Sequence, residues 1–149
     1  MSGPSIPLHD LLGFEIQPPV DGSSVAEVRM PVRPEAFGFT ANLHGGAIAT
    51  LVDLACALAA VRRSGFDPEK ESLVTADMHV RYLGRPNGDH VIARAEVVRV
   101  GSQLIVVECK VVDVEDHIIA AADFSMMKVS VRRPLTPGGA PSGTGQPEL

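Results

Sequence analysis

The feature that most constrains this chain is a long apolar segment that begins at two glycines and contains one carboxylate. Between Ala47 and Val61 only Thr50 and Asp53 are polar. At 3.6 residues per turn the segment predicts one long, central and buried helix from about Gly46 to Ser64. Small and polar residues fall on a single stripe of this helix, which we interpret as a pocket wall: Gly46, Thr50, Asp53 and Ala57.

Asp53 is costly in such a helix, because an unpaired carboxylate away from water is penalised by several kcal/mol. It must therefore take up a proton, accept hydrogen bonds or face a wet cleft. Gly45 and Gly46 offer bare backbone N–H groups at the helix start, where the helix dipole favours a developing negative charge. Together, the carboxylate and the glycine N–H groups favour a catalytic role for this segment.

The composition limits the class of protein. A chain of 149 residues is one domain by ordinary size. The net charge of −5 and the scattered Lys and Arg argue against a nucleic-acid partner. No apolar run of about 18 residues lacks a charge, and residues 1–5 do not resemble a signal peptide, so we expect a cytoplasmic protein without a membrane partner. Cys56 and Cys109 are expected to be buried free thiols.

The rest of the chain is predicted to be mostly sheet. A short helix is expected within residues 6–14. Alternating apolar residues and turn signals predict five strands, at about 26–32, 74–82, 90–100, 104–114 and 118–129. In the second of these, the alternation places Thr75, Asp77, His79 and Arg81 together on the polar face.

The order of these elements is a strand, the long helix and then four strands, which we interpret as a largely antiparallel meander. Such a sheet buries one face on the helix, and a helix that is apolar all round needs covering on several sides. The predicted fold is therefore α+β, with a curved antiparallel sheet of about five to six strands wrapped around one long central helix. The domain is predicted to span residues 1–132, and the Pro- and Gly-rich residues 133–149 predict a disordered tail.

Two motifs give a resemblance to a known family. The first is Leu43–Gly46 followed by Thr50–Asp53, and the second is Thr75–Leu83. With one helix inside a sheet, they resemble the hotdog fold and, within it, acyl-CoA thioesterases of the phenylacetate-pathway (PaaI-like) type. The resemblance covers about Leu8 to Val131, which is most of the chain.

The resemblance implies catalytic roles for four residues. In the family, the glycine after the histidine donates its backbone N–H to the thioester carbonyl, which implies Gly45, preceded by His44. The acidic helix residue is the nucleophile or general base, which implies Asp53. A hydroxyl residue near the start of the next strand assists the attacking water, and Thr75 holds the matching position.

Substrate contacts are expected close to the same motif. Family members often carry an asparagine six residues before the histidine, where this chain has Gly38, and the nearest asparagine is Asn42. Because CoA carries several phosphates, cations are expected at the pocket mouth. The candidate substrate-binding residues are Asn42, Gly46, Thr50, Arg62 and Arg81, with Arg63, Arg85 and Lys128 as further candidate cations.

Helix geometry separates Gly45 from Asp53. Eight residues rise by about 12 Å along the axis, so the carboxylate cannot reach a carbonyl held at the start of its own helix. A two-fold dimer with antiparallel helices would bring Asp53 of one chain to Gly45 of the other and form two equivalent sites. Hotdog thioesterases are similar in this respect, so we expect a homodimer and, as in many of them, a dimer of dimers.

Each assignment has a structural alternative. His44 can act only as a local helix cap, Asp53 can be satisfied by backbone donors, and Thr75 can be a solvent-exposed strand residue. His, Cys and acidic residues do not share a metal-ligand spacing with a third nearby, and G-x-S-x-G and Gly-rich phosphate motifs are missing from the sequence. We therefore predict no metal and no cofactor.

The sequence favours an acyl-CoA thioesterase that converts a CoA thioester to a free carboxylic acid and CoA. Gly45 and the helix dipole would polarise the carbonyl while Asp53 attacks it or activates water. The alternative is a non-catalytic acyl-CoA-binding or sensing hotdog protein, which would not need a carboxylate near the thioester. The sequence leaves the acyl group open, with Phe37 and Phe39 as the aromatic residues next to the motif.

Overall fold

The computed structural model describes residues 5–131, which form two α-helices, one 3₁₀ turn and six strands. Helix α1 spans Pro7–Leu12, the 3₁₀ turn spans Pro34–Ala36, and helix α2 spans Gly45–Ser64. The strands are β1 (Glu15–Ile16), β2 (Ala26–Pro31), β3 (Glu71–Tyr82), β4 (His90–Val100), β5 (Leu104–Asp113) and β6 (Ile118–Ser130). Every predicted element is present, and the 3₁₀ turn and β1 were not predicted. The predicted domain limit at residue 132 and the predicted tail lie outside the described residues.

All six strands form one antiparallel sheet in the order β1-β2-β4-β5-β6-β3. The predicted meander is confirmed for β4, β5 and β6. It is wrong for β3, which pairs with β6 at the far edge of the sheet instead of with β4. Helix α2 lies between β2 and β3 in the chain and contacts β2 to β6, so it carries the chain across the sheet. Strand periodicity cannot reveal that β3 pairs with β6, because it reports which face of the sheet a residue takes and not which strand lies next to it.

The core lies between α2 and the inner face of the sheet. Helix α2 buries one side there, and the strands contribute Val28, Met30, Ile105, Val107 and Phe124 from the opposing face. Removing this apolar surface from water is the main stabilising contribution, at about 25 cal/mol per Å². The predicted α+β arrangement, a curved antiparallel sheet around one long helix, is confirmed.

The opposite side of α2 is open. Gly46 is exposed, and Thr50, Asp53, Leu54 and Ala57 are half-buried, so the predicted stripe exists but the helix is not buried all round. By length and composition alone α2 is apolar enough to cross a membrane. The packing of its buried side on the sheet accounts for that composition, because a core helix passes the same test.

The two cysteines face each other across the core. Cys56 lies on the buried side of α2, Cys109 lies on β5, and both are free, as predicted. A hydrogen bond with Cys109, together with burial, raises the pKa of the Cys56 thiol well above its ordinary value. The Cys56 thiol therefore stays neutral, and the two buried cysteines act as core packing.

Candidate active site

Asp53 and Thr75 meet on the open side of α2. The Thr75 hydroxyl donates a hydrogen bond to Asp53 Oδ1 over 2.8 Å, which joins the middle of α2 to the edge strand β3. Asp53 is half-buried, so one carboxylate oxygen is oriented while the group stays within reach of the open face. The structural alternative for Asp53 was a carboxylate satisfied by backbone donors. Among residues 5–131 its hydrogen-bond donor is instead the side chain of Thr75.

A β-bulge in β3 explains how Thr75 reaches the helix. Thr75 pairs with Met126, whereas Asp77 pairs with Ser125, so Ala76 is an extra residue on β3. Met126 is buried in the core, and its partner Thr75 therefore takes the helix-facing side.

The bulge corrects the predicted faces of β3. Strict alternation places Thr75 on one polar face with Asp77, His79 and Arg81, but the extra residue reverses the phase after Thr75. Asp77 lies on the outer face, where its Oδ1 accepts a hydrogen bond from Ser125 over 2.8 Å. Because a bulge follows no hydrophobic period, a pattern of alternating residues gives no sign of it.

The start of α2 is capped by His44. The Gly46 N–H donates to His44 Nδ1 over 2.8 Å, so this ring nitrogen acts as the acceptor of the cap. The sequence predicts free N–H groups at both Gly45 and Gly46, and this prediction is wrong for Gly46. Among residues 5–131 the Gly45 N–H has no acceptor, and it remains the one free donor of the pair.

Two predicted substrate contacts are engaged in local hydrogen bonds. The Thr50 hydroxyl donates to the Gly46 carbonyl over 2.7 Å within its own helix. Asn42 Oδ1 accepts from the Leu43 N–H over 2.8 Å, and the Asn42 carbonyl accepts from the Gly38 N–H. These bonds shape the turn and first helical turn on which Gly45 lies.

Tyr82 is a site residue that the sequence reasoning missed. Its hydroxyl donates to the Gly45 carbonyl over 2.9 Å, from the last residue of β3. A signal was available, since Tyr82 is the only tyrosine in the chain and closes the Thr75–Leu83 motif. Tyr82 pairs with the buried Ala120 on β6 and so lies on the face of β3 that points toward the helix.

The predicted phosphate-binding cations do not form one cluster, although Arg62 and Arg63 are neighbours on the same cavity. Arg62 lines a cavity of about 490 Å³ at the C-terminal end of α2. Arg81 lies on the outer face of the sheet, away from Thr75 and Asp53, in a groove with Lys110. Lys128 lies two residues beyond Met126 on β6, and therefore on the helix-facing side with Thr75.

Asp53 and Gly45 are not brought together within one chain. Helix α2 is continuous from Gly45 to Ser64, so the two residues stay separated by about 12 Å of helical rise. Each has its own contact on β3, Asp53 with Thr75 and Gly45 with Tyr82. One chain therefore holds two separate candidate half-sites, Asp53 with Thr75 and Gly45 with Tyr82.

Asp113, Glu115 and His117 form a cluster that was not predicted, with one possible ligand atom from each lying within 4.8 Å of the others. The buried Asp113 carboxylate accepts backbone N–H bonds from Asn87, Glu115 and His117. The bond from Asn87, followed by those from Glu115 and His117, lowers the pKa of Asp113 to about 2 against the opposing effect of desolvation. These bonds hold the β5–β6 turn, and they account for the carboxylate without an ion.

Comparisons with known proteins agree with this architecture. The family described as the Thioesterase superfamily matches residues 40–120, which include Gly45, Asp53, Thr75 and Tyr82. A protein of Halobacterium salinarum named "Putative esterase" is 36% identical over 129 residues, covering 85% of this chain and 80% of the relative.

Solved structures give the same result. A protein of Bacillus halodurans crystallised with CoA is 30% identical, with a TM-score of 0.76, and the match covers 86% of this chain and 82% of the other. A thioesterase of Haemophilus influenzae shares the fold, with 23% identity, a TM-score of 0.71 and 82% coverage of both chains. This chain therefore belongs to the thioesterase superfamily and has the hotdog fold. Membership places it among thioester hydrolases in general.

Proposed function

We propose that this protein is an acyl-CoA thioesterase of the PaaI-like type, with Asp53 as nucleophile or general base and the Gly45 N–H as the oxyanion donor. The observation that carries the proposal is the 2.8 Å hydrogen bond from Thr75 to Asp53 on the open side of α2. A merely structural carboxylate would not need to face a cleft in the apolar part of a helix. The CoA in the Bacillus halodurans relative supports CoA thioesters as the substrate class.

The reaction can follow two routes from the same residues. As a general base, Asp53 takes a proton from water, the hydroxide adds to the thioester carbonyl carbon, and the carbonyl oxygen becomes an oxyanion beside the Gly45 N–H. The C–S bond then breaks, and the CoA thiolate takes up the proton held by Asp53, which restores the carboxylate. As a nucleophile, Asp53 attacks the carbonyl carbon, and the C–S bond breaks to release the CoA thiolate and leave a mixed anhydride. Water hydrolyses this anhydride in a second step, which releases the carboxylic acid and restores Asp53. In either route Thr75 orients the carboxylate or the attacking water.

We propose that the working unit is a homodimer with two shared sites. The half-sites of one protomer lie about 12 Å apart along α2, and an antiparallel partner helix would join Asp53 of one chain to Gly45 of the other. Two features support this arrangement. The open side of α2 is largely apolar, and β3 is an edge strand of 12 residues whose second edge has no partner strand within residues 5–131. We also propose that two such dimers pair into a tetramer and that the protein is cytoplasmic.

We further propose that the acyl group is apolar and uncharged. A cavity of about 350 Å³ lies beside His44 and Gly46 at the start of α2. Its apolar lining comes from α1 and from the segment before α2, including Leu8, Leu11 and Phe37. The described lining residues include no lysine or arginine, and their carboxylate, Glu35, is paired with Arg33 over 3.5 Å, so an anionic acyl group would meet an apolar lining without a free cation.

A panel of acyl-CoAs assayed by release of free thiol tests this proposal. Hexanoyl-, decanoyl- and phenylacetyl-CoA should be hydrolysed faster than succinyl-CoA, and chelator-treated protein should stay active. The matched control is Asp53→Asn, which should bind the best substrate without turning it over. Binding of acyl-CoA by the wild-type protein with no turnover of any thioester would favour the non-catalytic alternative. Loss of turnover on chelation, restored by a divalent ion, would contradict the mechanism.

A further inference from the structure

We infer that Tyr82 is a positioning residue that fixes the orientation of the Gly45 N–H. The inference rests on the proposed role of that N–H as the oxyanion donor. It starts from one contact, the 2.9 Å hydrogen bond from the Tyr82 hydroxyl to the Gly45 carbonyl. Tyr82 belongs to β3, so the contact anchors the start of α2 to a different element of the fold.

The start of α2 needs such an anchor. Its first two residues are glycines, which have the greatest backbone freedom, and helix ends fray. An oxyanion donor is effective when it is already aimed at the developing charge and does not have to reorganise. A Gly-Gly helix start without an external contact would meet this requirement poorly.

The peptides on both sides of the Gly45 N–H are held. On one side the His44 N–H donates to the Ala36 carbonyl over 2.8 Å. On the other side the Gly45 carbonyl accepts from Tyr82, and the Gly46 N–H donates to His44 Nδ1. The free Gly45 N–H lies between these two peptides and can rotate only if their hydrogen bonds break. Of these bonds, the one from Tyr82 connects the helix start to the sheet.

The Tyr82 ring also restricts the space beside Gly45. The three heavy atoms nearest to a Cβ built on Gly45 would all belong to Tyr82, with Cζ at 3.4 Å and Cε1 and the hydroxyl oxygen at 3.5 Å. The ring is thus one wall beside Gly45. Tyr82 itself is 54% exposed, so a substitution that keeps the ring should not impair folding.

The test compares Tyr82→Phe with Ser125→Ala. The first keeps the ring and removes the hydroxyl. The second removes a hydrogen bond of 2.8 Å that also holds β3, but on the outer face of the sheet. By ¹⁵N relaxation of the protein alone, the order parameter of the Gly45 amide should fall in Tyr82→Phe from the rigid value of about 0.85 toward the flexible range below about 0.6. In Ser125→Ala it should stay rigid.

Kinetics with the best acyl-CoA of the panel provide the second readout. Tyr82→Phe should lower kcat about tenfold with KM within about twofold, because it loosens the oxyanion donor without removing it. Ser125→Ala should lose stability but keep kcat. A rigid Gly45 amide or an unchanged kcat in Tyr82→Phe would overturn the inference. If the wild-type protein hydrolyses no thioester, the proposed function fails, and the order parameter alone decides the role of Tyr82.

Discussion

The Thr75 hydroxyl donates a hydrogen bond of 2.8 Å to Asp53 Oδ1 across the gap between the edge strand and the central helix. This bond depends on the bulge at Ala76, without which Thr75 would face outward. It fixes one carboxylate oxygen and leaves the other available on the open side of α2. The arrangement suits the proposed role of Asp53 as base or nucleophile, and it makes the proposed roles of both residues testable.

Replacing Asp53 with Asn should lower kcat by about 10² or more, because the amide can neither accept a proton from water nor attack the carbonyl. Acyl-CoA binding should remain measurable by calorimetry, since Thr75 can still donate to the amide oxygen. Near-normal kcat in this variant would require another residue to supply the base.

At Thr75, two substitutions separate the hydroxyl from the shape of the side chain. Thr75→Ser keeps the donor to Asp53, and its kcat should stay within about threefold of wild type. Thr75→Val keeps the shape without the donor, and its kcat should fall about tenfold or more. Thermal unfolding serves as the control for structural damage. Equal kcat in both variants would show that the residue acts only as part of the strand.

His44 should have two separable functions, as cap and as site residue. His44→Ala removes the acceptor of the Gly46 N–H and should lower the free energy of unfolding in urea by about 1 kcal/mol. His44→Asn supplies a good cap and should restore most of that stability, while kcat stays low in both variants. Recovery of kcat along with stability in His44→Asn would reduce His44 to a cap.

Mixing two inactive variants tests the shared site. Asp53→Ala and Gly45→Val should each be inactive alone. After subunit exchange, each heterodimer would contain one site with both defects and one with neither, so random mixing should restore up to about a quarter of wild-type sites. The matched control mixes Asp53→Ala with Asp53→Asn, which should restore nothing. If exchanging, folded mixtures of the first pair stay inactive, both half-sites act within one chain.

Asp113 should make stability depend on pH in the acid range. Its pKa is lowered from the ordinary value of 3.8 to about 2 in the folded protein, so the ionised form stabilises the fold. This contribution is fully present above about pH 4 and is lost as the pH falls toward 2. Urea unfolding should therefore find Asp113→Asn less stable than wild type at neutral pH, with the difference shrinking below about pH 4. Asp123→Asn, at an exposed position on β6, should show no such trend. A constant difference for Asp113→Asn at all pH values would contradict the assignment.

Much of the fold and several site residues could be predicted from local pattern. The apolar run from Ala47 to Val61 determines α2, its glycines and Gly65 mark the ends, and alternation locates the strands. Asp53 stands out because placing a carboxylate in an apolar helix costs free energy. The rise per residue, a local property, was enough to separate Gly45 from Asp53.

The tertiary structure decided the rest, because it depends on contacts between residues far apart in the chain. Pairing of β3 with β6 sets which strand lies beside the open side of α2, and the bulge at Ala76 sets which face Thr75 takes. No periodicity encodes either one, since a single extra residue reverses every later side chain on the strand. The contact of Tyr82 with Gly45 follows from both, and so does the meeting of Thr75 with Asp53. The sequence by itself determined which groups are candidates for the chemistry, and only the folding of the sheet around the helix decided which of them touch.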